Sequence, residues 1–301
     1  MTTMNVTNQA TFIPEIWAAR ALGFLHQNAV MPRLVNRNWE NEIASYGDTI
    51  NIPTYGSFTV KDKTPGVSVD LQNATSGTIP IVLDQHKEIS FIIEDVAKAQ
   101  ANISIMDGYI EKAMIAHAEA IDSALLLAGY ASLPAANRFG NGSTAFAGSN
   151  LLLARRKLNS NQVPYGNRHL VMKDFAPLLS IDTFTRADAI GNGQAIQSGL
   201  VGSLYGAQCW EDPRVWELGT SPVGVHNLYF HRDGITLCTR PLPAPEPGTG
   251  VKSYTAQLDG VGLRVLYGYN MSALGYQITI DILYGIKVIS TDYLTEIVSS
   301  N

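Results

Sequence analysis

EDVAKAQANISIMDGYIEKAMIAHAEAIDSALLLAGYASL, residues 94–133, is the stretch on which the fold turns. Val96, Ala99, Ile103, Met106, Ile110, Met114, Ile121 and Leu125 recur at steps of three, four or seven, the spacing that lines up one face of an α-helix. No proline interrupts the run from Glu94 to Leu133. The pattern predicts one amphipathic helix of about 35 residues, roughly 50 Å long. Globular helices usually run to about 8–20 residues. Without a heptad seam flanked by charge, this one is expected to lie across a sheet rather than enter a coiled coil. Gly129 and Pro134 mark its expected end.

On the N-terminal side the pattern is β. Gly47-Asp48 is a turn signal; TINIP (49–53), FTVKD (58–62) and VSVDLQ (67–72) alternate; and TIPIVLDQHKEISFII (78–93) runs back toward the helix. Thr64-Pro65-Gly66 and Ser76-Gly77 turn the chain. The whole predicts a long extended hairpin whose apolar residues are sparse on one face. Such a hairpin is marginal in water by itself, so it should rest on another surface, most naturally a neighbouring subunit. Ahead of it, a polar arm of ten residues precedes a helix opened by Pro14 and stopped by Pro32, and Leu34 to Ile43 reads as a strand.

Beyond the long helix, residues 137–148 form a Gly/Asn/Ser loop and Asn150 to Leu158 a helix with Arg155, Arg156 and Lys157 in its last turns. RHLVMK (168–173) is a short strand, Asp174 caps a helix over 175–181, and residues 185–199 read as a mobile loop. GLVGSLYGAQCW (199–210) turns into a strand; NLYFHRDGITLCTR (227–240) is a strand followed by a strand or short helix; Pro241 to Gly250 is a linker. Two long strands, SYTAQLDGVGLRVLYGYN and LGYQITIDILYGIKVI, meet at Asn270 to Gly275. No internal repeat is present. Helices and strands are segregated, so the class is α+β.

Composition narrows the function. Charged residues are 16% of the 301, against roughly 25% in a typical soluble domain, which suggests that much of the surface meets other subunits. A net charge of −5 argues against a dedicated nucleic-acid binder and does not exclude a container, whose wall should not grip phosphates tightly. Cys209 and Cys238 are expected to be reduced thiols of a cytoplasmic protein. MTTMNVTNQATFIPE has no basic n-region followed by an apolar run, so no signal peptide is expected, and no stretch approaches the ~18 apolar residues of a membrane span.

Fragments that imitate catalytic motifs fail on context. His231-Arg232-Asp233 resembles a kinase catalytic loop, but no magnesium-binding Asn follows and Lys173-Asp174-Phe175-Ala176 is not the Asp-Phe-Gly element. Gly191-Asn192-Gly193 has Ile196 where a dinucleotide loop needs its third glycine. His117 and Glu119 lack the Pro-Cys-x-x-Cys of a zinc deaminase, so His117 reads as packed or hydrogen-bonded at an interface. Gly202-Ser203-Leu204 is no nucleophile elbow. Catalytic, cofactor and metal residues are therefore all expected to be none.

The order of elements, with FIPEIWAARALGFLHQNAVMPRLVNRNWENEI, YGDTINIP, FTVKD, LDQHKEISFIIEDVAKAQ, RHLVMK, GLVGSLYGAQCWE, NLYFHRDGITLCTRPLP and ITIDILYGIKVISTDYLTEIV, resembles the major capsid proteins of tailed bacteriophages, whose fold is the Hong Kong 97-like capsid fold. The resemblance covers nearly the whole chain. It implies an N-terminal arm and first peripheral strand (1–46), an extended hairpin loop (47–91), a spine helix in a peripheral domain (92–134), a mixed α/β axial domain (135–254), long peripheral strands (255–290) and a return to the axial domain (291–301). It further implies a virion shell of pentamers and hexamers, assembled in the host cytoplasm around double-stranded DNA without sequence-specific binding. A separate scaffolding protein, a portal and a decoration protein are the implied partners, and no membrane is. Some shells of this family weld subunits through a hairpin lysine, which makes Lys61 and Lys63 candidates, although solvated lysines guarding a strand edge are the favoured reading. An encapsulin, an enzyme of unknown type and a tail-tube protein are the competing readings. Trp17, Trp39, Tyr55, Phe58 and Phe91 are the candidate inter-subunit contacts, because aromatics on arms and hairpins that cannot be buried internally need a partner.

Overall fold

The computed structural model describes residues 29–39, 49–56, 58–73, 75–95, 104–174, 203–218, 224–246, 250–258 and 261–300. In chain order the elements are helix α1 (Met31–Leu34), strands β1 (Thr49–Tyr55), β2 (Ser76–Val82) and β3 (Gln85–Glu94), and the long helix α2 (Ser104–Ser132). Strand β4 (Arg138–Gly140), helix α3 (Gly148–Ser160) and strands β5 (Arg168–Met172), β6 (Ser203–Leu204), β7 (Ala207–Glu211), β8 (Glu217–Leu218), β9 (Gly224–His231) and β10 (Ile235–Arg240) follow. Strands β11 (Lys252–Leu258), β12 (Val261–Asn270), β13 (Gly275–Val288) and β14 (Leu294–Ser299) complete the chain.

Two sheets and a ribbon result. In the five-stranded sheet β13 pairs antiparallel with β3, β12 and β10, and β11 adds to β12. Alternation along β13 buries Ile278, Ile280 and Ile282 in one core with Ile110, Met114, Ile121 and Leu125 of α2. From Ile110 onward, the apolar stripe of the sequence is thus the face that α2 turns to the sheet. The seven-stranded sheet runs β4-β14-β9-β5-β7-β6, with β8 on β9; β4–β14 and β5–β7 are parallel and the rest antiparallel. Its central strands are apolar on both faces. Leu228 and Phe230 of β9 join the α2 core, while Tyr229 joins Leu151, Ala154 and Leu158 of α3 on the other side.

Several polar groups inside this packing are paired across elements. Asp122 of α2 is fully buried and accepts the backbone N–H groups of Val30 (3.1 Å) and Met31 (3.0 Å) at the start of α1. Arg214 reaches both Asp122 (3.2 Å) and Asp212 (2.6 Å). Burial pushes the Asp122 carboxyl up to about 7, against the pull of those donors. The Nε2 of His117 donates to the carbonyl of Ile280 at 3.2 Å, pinning α2 to β13.

The ribbon is β1 paired with β2, from Thr49↔Val82 to Tyr55↔Ser76. Ile50 and Ile52 point inward with Ile81, Leu83 and Cys238, and Trp39 and Leu283 pack around them. The ribbon crosses β13 so closely that a Cβ on Gly285 would lie 2.2 Å from the carbonyl oxygen of Val82.

Several expectations are corrected. Glu94 closes β3 rather than opening the helix, because its backbone is used in the ladder with Gly275; residues 96–103 lie outside the described residues. Gly129 sits inside α2, where the side chain of Leu228 comes within 3.0 Å of the place a Cβ would occupy. Pro32 stands in the first turn of α1, where its missing N–H costs nothing, instead of ending a helix. Of the strand expected over Leu34 to Ile43, Leu34 is helical and Asn36 makes a single parallel bridge to Thr236; residues 40–43 are outside the described residues. Residues 252–270 form two strands, β11 and β12, rather than one. FTVKD and VSVDLQ are extended but form no ladder. The helix expected at 175–181, the loop at 185–199 and most of the N-terminal arm and helix lie outside the described residues.

Burial holds His117 and His169 below the ordinary histidine pKa, His169 down to about 4, with the charges of His231 and Arg232 adding to the effect there. The unfolded chain binds those protons near pH 6.5, so this contribution to stability is complete above pH 6.5 and is lost as pH falls toward 4. For His169 the expected loss between pH 7 and pH 5 is about 2 kcal/mol, read by urea denaturation at the two pH values, and His169→Gln should flatten the slope accordingly. Ile81→Ala, which empties the small core beneath the ribbon, should cost about 2–4 kcal/mol and speed amide exchange in β1 and β2 more than in α2.

Candidate assembly surface

Past Tyr55 the ribbon loses its ladder. Among the described residues, the last backbone bond between its arms short of the tip turn runs from the Gly56 N–H to the Thr75 carbonyl at 2.9 Å. Residues 58–63 and 67–73 continue as extended chain without strand pairing. Their apolar side chains stand in solvent: Phe58 is 68% exposed, Val60 98% and Leu71 90%, and Val67 and Val69 are exposed as well. Tyr55, at the end of β1 and 81% exposed, continues the same loop. No comparable run of exposed apolar residues occurs elsewhere among the described residues. Exposure of this extent on a protein surface marks a contact site.

The five candidate aromatics divide accordingly. Tyr55 and Phe58 lie together on the exposed loop. Trp39 is half-buried against the small core under the ribbon. Phe91 lies in β3 opposite Ile278, packs against the main core and sets its ring 5.7 Å from that of Tyr109 of α2. Trp17 is outside the described residues. Val60, Val67, Val69 and Leu71 belong to the surface too. Their signal in the sequence is strand-like alternation in a segment with no second apolar layer to face.

Elsewhere the titratable groups are absorbed by structure. His226 contacts Glu296 through Nδ1, and Glu296 pairs with Arg138 at 3.1 Å, all within the seven-stranded sheet. His231-Arg232-Asp233 is a tight turn in which the Asp233 N–H donates to His231 Nδ1 at 3.2 Å, while Asn36 donates to the Asp233 carboxylate. Neither Cys209 nor Cys238 is in a disulfide, and burial pushes the thiol of Cys209 up to about 11. Among the described residues no group of three or more His, Cys, Asp and Glu could hold a metal ion, and no helix is long and apolar enough to cross a membrane.

Sequence comparison matches no family model and no curated protein. Solved structures do match. A chain in the structure of Mycobacterium phage Che8 is 20% identical at a TM-score of 0.65, over 89% of this chain and 90% of that one. The capsid structure of the cyanophage P-SCSP1u gives 15% identity and 0.64 over 91% and 88%. The holo-SrpI encapsulin complex from Synechococcus elongatus gives 12% and 0.52 over 89% and 86%. The α+β architecture, with its long helix across a sheet, its ribbon and its mixed second sheet, is therefore the Hong Kong 97-like capsid fold expected from the sequence.

Proposed function

We propose that the chain is the major capsid protein of a tailed bacteriophage, which assembles into an icosahedral shell around double-stranded DNA. The observation that carries this reading is the exposed apolar loop, Phe58 to Leu71, which finds no cover among the described residues. The likeness to phage chains over about nine-tenths of both lengths supports it. Copies would gather into pentamers and hexamers through the axial part (135–254 with 291–301), while the loop (47–91) lies over an adjacent copy. Head-to-tail contacts of this kind close into rings, and many modest contacts add up once a shell closes. The spine helix (92–134) and long strands (255–290) form the peripheral part that carries loop and arm.

The shell would hold DNA by enclosure, since the net charge of −5 gives no general grip on phosphates. A scaffolding protein and a portal would take part in assembly, a decoration protein would bind the finished virion, and the chain itself would catalyse nothing. An encapsulin-type compartment is the second reading, favoured by the SrpI likeness alone.

Electron microscopy of the purified chain, with and without its scaffolding partner, tests the proposal: uniform hollow icosahedral particles are expected, and only monomers or small oligomers under both conditions would overturn it. Particles that form and copurify with a cellular protein cargo instead of receiving DNA would favour the compartment. Phe58→Ser should leave stability within about 0.5 kcal/mol of the parent and abolish or strongly weaken assembly. Phe91→Ser should lower stability first, because its ring packs against the core.

A further inference from the structure

The apolar loop is not simply loose chain. In its first arm Phe58 and Val60 alternate with Thr59 and Lys61; in its second, Val67, Val69 and Leu71 alternate with Ser68, Asp70 and Gln72. Alternation in extended chain sends the two sets to opposite sides. The polar set is the one that bridges the arms. The Gln72 carboxamide accepts the Thr59 N–H at 2.9 Å and donates to the Thr59 carbonyl at 2.6 Å. A carboxamide offers the same donor and acceptor as a peptide unit, so Gln72 stands in for the missing ladder. Two residues further along each arm, Lys61 Nζ meets Asp70 at 2.8 Å. At the tip, Lys63 Nζ donates to the carbonyls of Thr64 (2.8 Å) and Val67, across a turn in which Gly66 has a φ of +84°.

We propose that Gln72, Lys61–Asp70 and Lys63 form an internal clasp that presets the distal loop, so that Phe58, Val60, Val67, Val69 and Leu71 are offered as one face to a second copy of the chain. This rests on the assembly reading above and deepens it. The clasp residues position the contact without being the contact. Presetting matters because ordering a free loop at the moment of docking subtracts from every contact it makes. The charges between Lys61 and Asp70 also balance, Lys61 and Lys63 against Asp62 and Asp70, so no net charge opposes the approach of an identical copy. Both lysine ammonium groups are thereby occupied within their own loop.

A single exposed ion pair is a small term, and its removal is expected to raise the concentration for half-maximal assembly roughly two- to fivefold. The experiment is light-scattering assembly of the full chain carrying Lys61→Ala, Asp70→Ala, Gln72→Ala, or the exchange of Lys61→Asp with Asp70→Lys. The single variants should assemble less readily with unchanged melting of the body, and the charge exchange should restore the parent value. In the unassembled subunit, Gln72→Ala should speed exchange of the Thr59 amide roughly two- to fivefold. Assembly of the single variants at the parent concentration would overturn the proposal. So would impaired single variants that the charge exchange fails to rescue, since Lys61 and Asp70 would then touch the second copy directly. Failure of the parent chain to assemble would instead overturn the shell reading, while the Thr59 exchange still reports whether the clasp exists.

Discussion

Ile278, Ile280 and Ile282 of β13 share one dry core with Ile110, Met114, Ile121 and Leu125 of α2, and the placement of most other elements follows from that contact. Each large aliphatic side chain buried there contributes on the order of 1.5–3 kcal/mol. The two periodicities are matched: every second residue of the strand meets every third or fourth residue of the helix. Because β13 is long, it also carries β3, β12 and β10 in its ladders, and through β3 and β10 it holds the base of the ribbon. The C-terminal half of α2 reaches β9, which links the first core to the second sheet.

Polar anchors then locate what hydrophobic packing leaves free. Packing is tolerant of small slides, whereas a buried carboxylate must find its donors in fixed directions. Asp122 holds two consecutive amides at the start of α1 and so places that helix against α2. Arg214 keeps Asp122 and Asp212 together without leaving a buried charge alone. His117 does the same for the register of α2 on β13.

Against that rigid body the hairpin divides into two regimes. Its base is a regular ribbon with a small core of its own, seated on Gly285. Its distal part has no backbone ladder, keeps its shape through side chains and shows its apolar residues to solvent. A monomer gains nothing from that arrangement. In the shell proposed above, a neighbouring copy would cover that surface, and the body would not need to change to accept it.

The long helix, the α+β class, the hairpin and the terminal strands were legible in the sequence because each rests on a local period, of 3.6 or of two, that residues a few positions apart display. The exposure of Tyr55 and Phe58 was legible for the same reason: a half-apolar hairpin has no second layer. Other features are decided between residues far apart in the chain. Glu94 is strand because Gly275 pairs with it, Gly129 stays within the helix where Leu228 takes the space of a Cβ, and Phe91 packs against the main core because β3 pairs it with Ile278. The loss of ladder beyond Gly56 belongs here too, since FTVKD and VSVDLQ alternate as well as any strand, and a side-chain clasp bridges the arms instead. Local periodicity thus determined which segments could be helix or strand and which faces were apolar; only tertiary structure decided which of those faces met a partner within the chain, because pairing and burial depend on contacts that sequence spacing does not encode.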